Sequence, residues 1–189
     1  MSYKIRFEAA LGKTKELGLM FQGVQYPFQA PLSFEVKRKV LQSCVDVLFA
    51  HGYQNSSSLA GKCTPIHLMM HRYLKDELGI DSYITIGDYY WNDYIYCEMS
   101  YEIIKSELTQ LDITKPLKAH VWLTLTDGTI IDCTLQGHAD LLFNRGDFPV
   151  EKCLTIVEIN SSEDEVSGYH RPYLVGSDFL MKACAMYVM

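Results

Sequence analysis

The sequence predicts an α+β fold, with N-terminal helices followed by a mostly antiparallel β-sheet. Three observations predict it. Apolar residues recur at spacings of three and four from Phe34 to Leu48, a second helical run follows Cys63 and ends at Gly79, and from Ser82 onward β-branched and aromatic residues collect in short runs broken by turn signals. Helices first and strands after them point to segregated layers rather than a doubly wound sheet. With 189 residues, 48% of them apolar, the chain reads as a single domain spanning 1–189.

Residues 1–32 mix aromatics with Gly and Pro, as in FQGVQYPFQAP, and read as an irregular wrap. Ser33 is placed to cap a helix running to about His51, where Gly52 stops it. Gln54–Lys62 is small and polar, hence a loop. The second helix should begin near Thr64-Pro65, since Pro suits the first turn, where its missing N–H is not needed. SYITIG and DYYWNDYIY read as strands, and residues 101–118 as a polar excursion with a short helix around EIIKSEL. HVWLTLTDGTIIDCTL gives two β-rich runs around Asp127-Gly128, a strong hairpin signal. LTIVEI and PYLVG add strands on either side of the acidic loop SSEDEVSG.

A formal charge of −6 argues against an extended phosphate-binding surface, so no nucleic-acid partner is expected. The N-terminal segment lacks the apolar block of a secretory signal, and no run approaches the roughly 20 residues that span a bilayer. The expected setting is therefore cytoplasmic, without membrane association. Six cysteines lie far apart with no C-x-x-C pair, which reads as free thiols.

Among these thiols Cys63 stands apart, because it sits where a helix begins. Unpaired N–H groups and the macrodipole there favour negative charge, and the thiolate is the nucleophilic form of cysteine. A buried structural cysteine is the competing reading. A thiolate mechanism also needs a base and a group that orients the base. His120 opens the first strand of the predicted hairpin and Asp132 lies near the end of the second. A two-residue loop would set His120 opposite Leu135, with Asp132 on the other face. A three-residue loop, Thr126 to Gly128, sets 122 opposite 132 and 120 opposite 134, which gives His120 and Asp132 one face as diagonal neighbours. Gly128 suits the second arrangement, as the left-handed residue that follows a type I turn.

At these positions the chain resembles the transglutaminase-like superfamily. GKC (Gly61-Lys62-Cys63), heading a helix that ends in LGID, is similar to the family's nucleophile segment. His120, Trp122, Gly128, Asp132 and Thr134 match its H-x-W … G-x-x-x-D-x-T block. Lys62 before the nucleophile and Cys133 before the Thr depart from the family pattern. The resemblance covers about residues 56–135. It implies a papain-like core with Cys63 as nucleophile, His120 as base and Asp132 as third member. It also implies a cysteine-dependent amide hydrolase or acyl transferase working through a thioester, of peptidase, deamidase or transglutaminase type. Its partner would be a protein, peptide or small amide substrate, with no cofactor; nothing marks a coenzyme A site of the kind used by the neighbouring arylamine N-acetyltransferases. A catalytically silent binding or scaffold module is the alternative.

Gln54 and Asn55 are candidate side-chain oxyanion donors. Trp91, Trp122 and the tyrosines around Trp91 either line a groove or alternate through a strand. A zinc reading of Cys63, His67 and His71 fails on distance, since Cys63 and His71 stand about 12 Å apart at about 1.5 Å per residue. His67 is expected to pack inward and His71 to lie at the surface. A metal held by His67 and His71 with a distant carboxylate is the lesser alternative and no metal is expected; His51, His138 and His170 offer no chemistry that the sequence alone can argue.

Overall fold

The computed structural model describes residues 2–21, 28–110, 117–158 and 168–183. The fold is α+β with antiparallel strand pairs, and the chain divides into two compact units. The first comprises residues 1–25, 83–121 and 159–189, the second 26–82 and 122–158. Residues 22–27 of the expected N-terminal wrap, residues 111–116 of the 101–118 excursion and nearly all of the acidic loop SSEDEVSG lie outside the described residues.

In the first unit, α1 (Tyr3–Glu16) replaces the irregular wrap expected at the N-terminus. Its buried residues Tyr3, Phe7, Ala10, Leu11 and Thr14 form a helical stripe that the interspersed Lys and Glu residues obscure in the sequence. The stripe lies on β6 (Tyr169–Val175), and Thr14 Oγ accepts the Val175 N–H at 2.9 Å. SYITIG and DYYW are one strand, β1 (Ser82–Trp91), which turns through Asn92 and Asp93 into β2 (Tyr94–Tyr96). Both turn residues have positive φ, as a two-residue type I′ hairpin loop requires. β1 also pairs with β6, setting Asp88 opposite Arg171. The buried Asp88 carboxylate takes two bonds from that guanidinium, at 2.6 and 2.8 Å. The expected short helix in the excursion is α5 (Tyr101–Thr109), capped by Ser100.

In the second unit, α2 (Phe34–Ala50) is capped by Ser33, whose Oγ accepts the Val36 N–H. The supposed loop at 54–62 contains a helical turn, α3 (Ser56–Leu59), because Asn55 and Ser58 form a reciprocal capping box. α4 (Cys63–Leu78) starts one residue before the predicted cap, with Lys62 at the N-cap, and ends on the left-handed Gly79. β3 (His120–Leu125) enters this unit at Trp122 and pairs with β4 (Ile130–Asp132), which pairs in turn with β5 (Thr155–Val157). β4 stops at Asp132, short of the predicted Leu135, because the Asp132 side chain accepts the Thr134 and Leu135 N–H groups and turns the chain into α6 (Leu135–Leu142). Neither α6, nor the 3₁₀ turn Val150–Lys152, nor the short α7 (Asp178–Lys182) of the first unit was expected from the sequence.

Candidate active site

Cys63 is the first residue of the 16-residue helix α4. No side chain caps this end and no acidic residue occupies the first turn. Cys63 is only 8% exposed.

One turn along α4, His67 is fully buried, as the helical spacing predicts. Its Nδ1 lies 2.8 Å from the Cys63 carbonyl oxygen, and its Nε2 accepts the Cys133 N–H at 3.0 Å. His71 is half-buried instead of lying at the surface, with Nδ1 2.9 Å from Ser82 Oγ. Burial lowers its pKa. The two α4 histidines thus face different partners.

Asp132 is fully buried, and its Oδ1 accepts N–H bonds from Thr134 and Leu135, both at 3.0 Å. These bonds fix the plane of the carboxylate. The hairpin that carries it has the three-residue loop: Leu123 stands opposite Ile131, Gly128 N–H reaches Leu125 O, and Gly128 holds φ +88°. That register puts Trp122 opposite Asp132. Trp122 is fully buried, a core ring rather than a groove lining.

His120, the first residue of β3, belongs to the first unit and is fully buried. In that unit its ring stacks on His170 with centroids 6.0 Å apart, and Tyr96 lies 5.2 Å away. Tyr89 meets His170 edge-on at 4.8 Å. Sequence reasoning missed His170, although its parity with the buried Pro172 and Leu174 on β6 marks it as inward-facing. Cys63 and Asp132 belong to the second unit.

No family model, curated protein or solved structure matches this chain. The Asn55 amide is committed to structure: its oxygen accepts the Ser58 N–H and its nitrogen donates to Asp147. Gln54 is exposed, and Trp91 is half-buried at the end of β1. Two competing thiols are pushed upward. Cys133 is raised by its hydrogen bond with Cys44 and by burial, and Cys153 by burial foremost. Among the described residues, no helix is long and apolar enough to cross a membrane.

Proposed function

We propose that the protein is a cysteine-dependent amide hydrolase or acyl transferase on a papain-like, transglutaminase-like core, with Cys63 as nucleophile, His120 as base and Asp132 as orienter. The reading is carried by Cys63 opening an uncapped helix. It is supported by the hairpin, whose three-residue loop has the register that a His120–Asp132 pairing requires. The raised thiols of Cys133 and Cys153 add a reason for selectivity, since neither is disposed to ionise.

In the proposed reaction the Cys63 thiol gives its proton to His120 as its sulfur attacks an amide or ester carbonyl. The Cys63 backbone N–H at the helix start donates to the tetrahedral oxyanion. Collapse breaks the bond to the leaving group, which takes the proton from His120 and leaves a thioester. Water or an amine, deprotonated by His120, then attacks the thioester, releases the acyl product and returns the thiol. Asp132 holds the imidazole tautomer throughout. Water as acceptor gives peptidase, amidase or deamidase activity, and an amine gives transglutamination.

The low exposure of Cys63 favours a second reading, a silent module that binds partners and performs no chemistry. A screen of amide substrates and amine acceptors, comparing wild type with Cys63→Ser, separates the two. Turnover abolished by Cys63→Ser supports the enzyme, and turnover equal in both proteins excludes Cys63 chemistry.

A further inference from the structure

We infer that His67 is a positioning residue that locks the nucleophile segment to the segment carrying Asp132. This rests on the reading of Cys63 as nucleophile. A carbonyl oxygen accepts only and a backbone N–H donates only, so one protonation state alone satisfies both contacts. Nδ1 carries the proton and gives it to Cys63 O at 2.8 Å; Nε2 is bare and accepts from Cys133 N–H at 3.0 Å. The neutral imidazole is thus a rigid strut between the first residue of α4 and the residue that follows Asp132.

Three further features fit a strut better than a proton carrier. The ring is fully buried, and each nitrogen has a backbone partner. Asp132 Oδ1 lies 3.8 Å from Nε2, too far for a hydrogen bond, and is held by the Thr134 and Leu135 amides instead. Cys133 and Asp132, the two residues at the far end of this link, are both fully buried. A chain of short contacts therefore runs from the Cys63 carbonyl through His67 to Cys133, and then along one peptide link to Asp132. A shift of about 1 Å in a reacting group can cost about 100-fold in rate, so a strut of this kind bears on turnover without touching substrate.

The test compares His67→Gln, whose amide oxygen can replace Nε2 toward Cys133, with His67→Asn, whose amide nitrogen can replace Nδ1 toward Cys63, and with His67→Phe, which replaces neither. Each is measured by thermal melting, by the pH profile of Cys63 alkylation with iodoacetamide, and by kcat and KM for p-nitrophenyl acetate. The strut predicts that His67→Phe slows both alkylation and kcat by about 10-fold or more, with KM changed little, and that at least one amide variant recovers most of the loss. If His67→Phe does not fold, the two amide variants decide: a rate below wild type in at least one of them, in a protein that melts cooperatively, supports the strut. Folded variants that all keep wild-type rates overturn it while leaving Cys63 as nucleophile. A wild-type Cys63 that neither alkylates faster than Cys133 nor turns over the ester removes the nucleophile itself, and the strut with it.

Discussion

Replacing Trp122 by Ala separates architecture from chemistry when set beside Cys63→Ala. Trp122 is fully buried in the second unit. A tryptophan buries about 150–250 Å², which at about 25 cal/mol per Å² gives about 4–6 kcal/mol. The extended-chain reference overstates the area, so the expected cost is about 3–5 kcal/mol, the usual range for truncating a buried aromatic. Against a total stability of about 5–15 kcal/mol, this is a large fraction. With a urea slope of about 2–3 kcal/mol per M, the midpoint should fall by about 1–2.5 M. Cys63→Ala removes one sulfur at the head of α4 and should cost about 1 kcal/mol or less. Turnover should disappear in Cys63→Ala with the melt nearly intact. In Trp122→Ala stability and activity should fall together, because His120 stands two residues earlier on the same strand. If Cys63→Ala lowers the midpoint as much as Trp122→Ala while keeping activity, Cys63 is a core residue and the assignment fails.

Four other outcomes are expected. Arg171→Met leaves the buried Asp88 charge without its guanidinium and should cost about 3–5 kcal/mol; adding Asp88→Asn should recover much of it in urea melts, and no recovery would argue against an ion-pair origin. At Asp127, burial opposes ionisation, but the Thr129 and Leu32 N–H groups and the Lys37 ammonium outweigh it and hold the pKa below the usual value. Its contribution is therefore present above the unfolded value of about 3.9 and is lost as pH falls through the lower folded value. Melts of Asp127→Asn should lack that part of the acid loss, and an unchanged acid profile would remove Asp127 from the account. Gly137→Ala should destabilise by about 1–3 kcal/mol despite the better helix propensity of Ala, since its Cβ would meet Ser56 O at 2.9 Å; a rise in melting temperature would show that α3 and α6 give way easily. Peptide mapping after brief iodoacetamide treatment near pH 6 should find Cys63 modified well before Cys133 and Cys153, and labelling of all three at one rate would count against thiolate selectivity.

The elements legible in the sequence were those whose signal is local. Ser33 and Gly79 mark helix ends by their own chemistry, and Gly128 selects the three-residue hairpin loop through its left-handed backbone. The register of β3 and β4 followed from that loop alone. What was missed depended on partners distant in sequence. α1 is recognisable once β6 gives its stripe something to bury against, and β4 ends early because a side chain turns back onto its own following backbone. α3 was hidden because a single capped turn looks like any run of serines. At the candidate site, Cys63 was legible as a helix-start cysteine and His67 as an inward-facing residue. The double backbone contact of His67 was not, since the bond to Cys133 spans 66 residues of sequence. His170 was passed over for the same reason: its stacking on His120 joins β6 to β3.

The central claim is that Cys63 carries an acyl group during turnover. The direct test is to mix the protein with p-nitrophenyl acetate, quench in acid within the first turnover, and map the acylated peptides by mass spectrometry. The account predicts one acetyl group, on the peptide containing Cys63, absent in Cys63→Ala and much reduced in His120→Ala. A folded wild-type protein with no acetyl on Cys63, or with equal acetylation of the other cysteines, would contradict it.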